Sequence, residues 1–163
     1  MSAVRRGLES LIPALRRFAR ALARDAETAD DLVQDTLVRA LRGEHLFHGG
    51  DLRTWTFTIL LNLDRNRRRG LARRPFLAVI EDVDPAGPPG TDGTGSDIER
   101  GLILLPQEQR EVLLLVALEG LSYREAAEVQ GVPIGTVMSR LSRARTALRT
   151  HLEGERPRLR QVK

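Results

Sequence analysis

Apolar residues recur at three- and four-residue spacing along most of the chain, the period of one face of an α-helix. Leu8, Leu11, Ile12, Leu15, Ala19 and Leu22 mark a first helix, and Ala29, Leu32, Val33, Leu37, Ala40 and Leu41 a second. The second carries Asp30 and Asp31 in its expected first turn, where carboxylates are favourable against the positive helix end. Gly49-Gly50 punctuate the chain, and a third helix is expected from about Leu52 to Arg68, with Leu52, Trp55, Ile59, Leu60 and Leu63 facing inward. In the C-terminal part, Pro106 suits the first turn of a helix whose apolar run is Val112 to Leu118 and whose end is Gly120. Ser122-x-x-Glu125 has the spacing of a capping box, Gly131 closes the short helix that follows, and a last helix is expected from Gly135 to about Leu152. Nowhere does the alternation of a strand persist over a useful length.

The pattern breaks once. Residues 85–95, PAGPPGTDGTG, hold three prolines and four glycines in eleven positions, which suits neither a helix nor a strand ladder. Charge changes sign around the same place. Residues 65–74 contain six arginines and no acid, whereas residues 75–99 contain six acids and no base. The expectation is an all-α protein of two small helical domains, residues 1–74 and 98–153, joined by a flexible acidic Pro/Gly-rich linker at 75–97 and followed by a basic tail at 154–163. Each domain is near the lower size limit for independent folding, so its helices must pack well.

Composition narrows the chemistry. The 163 residues include no cysteine, which excludes disulfides, thiolate metal sites and cysteine nucleophiles. No apolar run approaches the ~18–20 residues of a membrane span. A basic start without a following apolar stretch predicts no signal peptide, and a cytoplasmic location is the simplest expectation. Of the 26 basic residues all but Lys163 are arginine. Codon bias in a GC-rich genome accounts for such a skew without any function, yet arginine is also the side chain suited to phosphates and guanine edges. His45 and His48 lie three apart with no third ligand type nearby, so no metal is expected. Gly90 to Ser96 lacks the Gly-Lys-Ser/Thr ending of a phosphate loop, and no Ser/His/Asp set suggests hydrolysis. No enzyme, cofactor or small-molecule substrate is expected.

The segment Tyr123 to Arg143 is the sharpest signal, because a short helix, a tight turn and a second helix with a basic outer face make a helix-turn-helix. Ala127 is small where the helices touch, Gly131 permits positive φ in the turn, Pro133 stops the first helix from continuing, and Val137 plugs the angle between the two. Thr136, Ser139, Arg140 and Arg143 are left outside with the chemistry for phosphates and base edges.

These residues carry a family resemblance. LPQEQREVLLLVALEGLSYREAAEVQGVPIGTVMSRLSRARTALR at 105–149 resembles the fourth conserved region of extracytoplasmic-function (ECF) sigma factors, the smallest bacterial RNA polymerase specificity subunits. DDLVQDTLVRALR at 30–42 resembles the core-polymerase-binding helix of their second region, and RTWTFTILLNLDRNRRR at 53–69 the promoter-melting helix after it. The resemblance implies that Asp31, Leu32, Gln34 and Asp35 face core RNA polymerase, an acidic and amide patch suited to an arginine-bearing partner. It implies that the loop from His48 to Thr54 captures a base flipped from the −10 element, and that Arg53, Asn62, Arg65, Arg67 and Arg68 bind there. Trp55 is placed in the core rather than on a stacking platform. Arg124, Thr136, Ser139, Arg140 and Arg143 would bind the −35 element of promoter DNA, and an anti-sigma factor would be a further partner. The chain departs from the family pattern at Met138, where lysine or arginine is usual, at Ser142, and at Thr56-Phe57-Thr58, a change expected to alter how the melted strand is held.

The implied function is promoter recognition, melting and transcription initiation in a stress or envelope response, with no membrane insertion. A stand-alone helix-turn-helix regulator explains residues 98–153 but leaves DDLVQDTLVRAL without a task. A sigma mimic that sequesters a regulator is a second alternative, and an RNA-binding helical protein a distant third.

Overall fold

The computed structural model of the chain describes residues 2–23, 25–72 and 93–155. Most of the expected linker and the basic tail lie outside them.

The N-terminal half is three helices, α1 (Ala3–Leu22), α2 (Ala26–Arg42) and α3 (Leu52–Ala72), with a 3-10 turn at Glu44–Leu46. Ser2 caps α1 by accepting from Arg5 N–H at 3.1 Å. The helix runs through Pro13 because Leu8, Leu15, Phe18, Ala19 and Leu22 hold its inner face in the core on both sides of the proline. α2 starts earlier than its acids suggest. Asp25 is the cap, accepting from Thr28 N–H at 3.2 Å, and Glu27 is the first-turn acid, so Asp30 and Asp31 stand a turn further on. Its buried stripe is Ala29, Leu32, Val33, Thr36 and Ala40, whereas Leu41, expected inside, is exposed.

α3 is turned about its axis relative to the expected face. Phe57, Leu60, Leu61 and Asp64 are fully buried, while Trp55, Ile59 and Leu63 are only half-buried. The physical reason is that α3 packs against α1 and α2 on one side and the C-terminal half on another, so two faces need filling. Thr56 and Phe57 are core residues rather than a surface for a strand. Phe57 meets Phe18 edge-on at 5.1 Å, and the Thr56 and Thr58 hydroxyls donate to the carbonyls of Leu52 and Thr54 at 2.7 and 2.8 Å. Trp55 leans on Phe47, with ring centroids 5.2 Å apart.

The C-terminal half has α4 (Gly93–Leu104), α5 (Gln107–Leu113) continued by a π-helical stretch (Leu114–Leu118), α6 (Tyr123–Gln130) and α7 (Ile134–Glu155). α4 begins inside the segment read as linker, so residues 93–97 are helical. Tertiary contact overrides the poor propensity of its glycines: a Cβ at Gly101 would strike the side chains of Leu148 and His151, so this glycine lets α4 lie close on α7. Arg110, nearly buried, donates from Nε to Leu102 O at 2.7 Å and from Nη2 to Ile103 O and Leu105 O at 2.6 and 3.0 Å. It thereby satisfies the carbonyls left open at the end of α4. The π stretch closes through Glu119 N–H to Leu114 O at 3.1 Å, and Gly120 at φ +69° turns the chain away.

The two halves are packed together. Their buried side chains form one continuous cluster, from Leu15, Phe18 and Phe57 through Leu113 and Leu115 to Val137, Leu141 and Ala144.

Candidate nucleic-acid interface

The helix-turn-helix forms as its local chemistry demands. Ser122 and Glu125 make both bonds of the capping box, Ser122 N–H to Glu125 Oε1 at 2.9 Å and Glu125 N–H to Ser122 Oγ at 3.1 Å. Gly131 adopts φ +69° and ψ +38°, and Gly131 N–H and Val132 N–H donate to Glu128 O and Ala127 O at 3.2 and 3.1 Å. That pair of bonds is a Schellman closure, which the left-handed glycine makes possible. Val137, Leu141 and Ala144 are buried, which fixes the rotation of α7. Arg124, Ser139 and Arg143 are exposed, and Thr136 is half-buried. Arg140 is half-buried and donates from Nη1 to Gln130 Oε1 at 3.3 Å, while Gln130 Nε2 donates to Glu108 O at 3.1 Å. The structure therefore sets Arg140 at the edge of the outer face, tied to α6.

On α2, Asp31, Gln34 and Asp35 are exposed along one side, and Val38 and Leu41 continue the same stripe as exposed apolar residues. Leu32 is in the core, since the helical turn that exposes its polar neighbours points it inward. It positions the stripe without belonging to its surface.

Arg53, Arg65, Arg67 and Arg68 of α3 are engaged within the protein, with Asn62 exposed between the first two. Arg67 Nη2 and Arg68 Nε reach the buried Asp64 carboxylate at 3.1 and 2.9 Å, and Gln107 Nε2 from the other half adds a bond at 3.4 Å. Arg65 Nη2 lies 3.0 Å from Glu111 Oε1, whose side chain is 1% exposed, and Arg65 Nη1 donates to Gln130 O at 3.4 Å. Arg53 Nη1 donates to Glu119 O at 3.2 Å, and its Nη2 lies 3.6 Å from Glu125 Oε2.

A fifth arginine, Arg17 on α1, completes this set. It forks onto Glu119, Nε to Oε1 at 3.0 Å and Nη2 to Oε2 at 2.8 Å. The Glu119 hydrogen bonds first, and its charge second, raise the Arg17 pKa above the usual arginine value. Arg17, Glu111 and Glu119 carry no distinguishing sequence signal, because their partners lie 46 to 102 residues away. At the start of α3, Asp51 accepts from Arg53 N–H at 3.1 Å and from Thr54 Oγ1 at 2.6 Å, and so anchors the expected base-capturing loop to the helix. Within that loop Gly49 and Gly50 both have positive φ, +97° and +91°.

Residues 96–148 match the family model described as "Sigma-70, region 4", and residues 8–61 match "Sigma2 domain of PhyR". The chain is 41% identical over 146 residues to the ECF RNA polymerase sigma factor EcfG of Rhodopseudomonas palustris, covering 84% of this chain and 78% of that protein. It is 38% identical over 138 residues to the ECF RNA polymerase sigma factor SigM of Mycobacterium tuberculosis, covering 82% and 69%. Among solved structures it superposes on the sigma factor RpoE from Bartonella quintana, in complex with the anti-sigma factor NepR, with a TM-score of 0.77 and 34% identity over 93% of this chain and 98% of that one.

Proposed function

Because the chain belongs to the ECF RNA polymerase sigma factors, a sigma-70 family group, with regions 2 and 4, we propose that its two halves divide promoter recognition between the residues placed above. The protein is an alternative sigma factor, a DNA-binding initiation factor that joins core RNA polymerase and directs it to promoters. In our reading it has no catalysis of its own, acts in the cytoplasm and serves a stress or envelope response. No described helix is long and apolar enough to cross a membrane.

The polar stripe of Asp31, Gln34 and Asp35 holds core polymerase, whose complementary surface carries arginine. Arg53, Asn62, Arg65, Arg67 and Arg68 track the melted −10 strand as cations along a backbone, while the loop before α3 takes a base out of the stack. Arg124, Thr136, Ser139, Arg140 and Arg143 serve the −35 duplex, where phosphate contacts fix register and base-edge contacts carry sequence. Arg53 and Arg65 are bound to the C-terminal half in this arrangement. Strand binding therefore requires the two halves to separate, and the Glu111 carboxylate at Arg65 and the Glu119 carbonyl and Glu125 carboxylate at Arg53 occupy places that phosphates take afterwards. Its likeness to a sigma factor in complex with an anti-sigma factor supports such a regulator as partner.

The observation that carries this reading is the presence in one chain of the exposed polar stripe on α2 and the basic helix-turn-helix. Run-off transcription with purified core enzyme on a genomic library tests it. Promoter-specific transcripts that require the added chain are expected, and their absence, with core binding intact, refutes it. The match of residues 8–61 to the sigma2 domain of PhyR favours one other reading, a sigma mimic that sequesters a regulator. That protein would form the regulator complex but yield no transcript.

A further inference from the structure

The outer face of α7 contains two residues that a phosphate-binding surface does not need. Ile134 is 46% exposed and Met138 52% exposed. Four residues apart, they stack along one side of the helix and lean toward its N-terminal end, the end that a helix-turn-helix presents to the major groove. Ser139, Ser142, Arg143, Arg145 and Arg149 share the exposed surface, and no acid occurs from 134 to 152. The face is thus cationic with an apolar spot, and its partner must be a polyanion that also offers an apolar group.

A DNA major groove has one such group, the C5 methyl of thymine. The methionine thioether donates no hydrogen bond, so it has nothing to give the acceptor edge of guanine. Set against cytosine, it would leave the N4 amino group without a partner. Its unbranched side chain adapts in length and direction. Arg140, held on Gln130 Oε1 at 3.3 Å, stands to the side and leaves this spot uncovered. We propose that Met138, with Ile134 beside it, reads a thymine of the −35 element through the C5 methyl group. The inference rests on the reading of α7 as the −35-binding helix.

The test uses holoenzyme assembled from the full chain and core polymerase, on promoter duplexes in which each thymine of the element is replaced in turn by deoxyuridine. That change keeps base pairing and removes only the methyl. At one or two positions the wild type should lose about three- to tenfold in affinity, and Met138→Ala should lose nothing further there. Met138→Arg should shift preference at the same base pair toward guanine. Thermal melts of both variants should match the wild type, since the site is exposed. Deoxyuridine tolerated at every position, or an equal loss in Met138→Ala, overturns the proposal while leaving the sigma-factor reading intact. An apolar pocket on a protein partner as the true target would give that same methyl-independent result. Failure of the holoenzyme to select any promoter overturns both.

Discussion

Arg65→Ala tests whether the packed halves are held by buried charge. Arg65 of the N-terminal half reaches Glu111 at 3.0 Å, and Gln107 Nε2 meets the same carboxylate at 3.5 Å, a weak bond. Removing one partner of a buried ion pair costs about 3–5 kcal/mol, because the other charge is left uncompensated. Arg65 keeps 28% of its side chain exposed, so the low end, about 3 kcal/mol, applies. Separation of the halves lets water reach Glu111, so the penalty falls on the packed arrangement alone. At tenfold per 1.4 kcal/mol, the balance shifts toward separation by roughly a hundredfold. The chain has no cysteine, so Glu27→Cys and Arg149→Cys at exposed sites give a clean dye pair for energy transfer. Transfer efficiency should change in Arg65→Ala and return when Glu111→Leu is added, because replacing both partners by apolar groups is nearly neutral. Unchanged transfer in a folded Arg65→Ala, or no recovery in the double variant, refutes the reasoning.

Asp35→Arg should weaken co-purification with core polymerase by about tenfold or more through like-charge contact with a basic partner. Its circular dichroism should stay the same, and equal co-purification would remove Asp35 from the interface. Gly131→Ala should cost about 1 kcal/mol in thermal or urea melts, since φ +69° is unfavourable for any Cβ although nothing crowds the site. Asp51→Ala should cost about 1 kcal/mol at pH 7 as a lost helix cap. Burial raises the Asp51 pKa, but hydrogen bonds from the Thr54 hydroxyl and from the Arg53 and Thr54 amides outweigh it and hold it below the usual aspartate value. A pKa depressed on folding contributes stability above the unfolded value and loses it as pH falls through the folded one. The gap between wild type and Asp51→Ala should therefore be constant near neutrality and shrink in acid below about pH 4. A gap that widens in acid would contradict the sign.

What the sequence determined by itself is local. The helix-turn-helix follows from Ser122, Glu125, Ala127, Gly131 and Val137, each acting on neighbours within a few residues through a cap, a left-handed turn or a helical period. The outward placement of Asp31, Gln34 and Asp35 follows from the same period once Leu32 and Val33 are inside. The tertiary structure decided the rest. Which way α3 turns depends on its being packed from two sides, so Phe57 and Asp64 displaced Trp55 and Leu63 from the expected inner face. Helix α4 starts within an unpromising glycine-rich stretch because Gly101 can seat it on α7. The arginines of α3 were legible as a basic block, with Asp64 one helical turn before Arg67 and Arg68, but the carboxylate partners on the other half were not. Arg65 meets Glu111 across 46 residues of chain, and Arg17 meets Glu119 across 102. Periodicity and capping reach about one helical turn along the chain, whereas an ion pair between distant helices depends on the angle and depth at which they dock. That docking is set by the shape of the shared core, which no short-range pattern encodes.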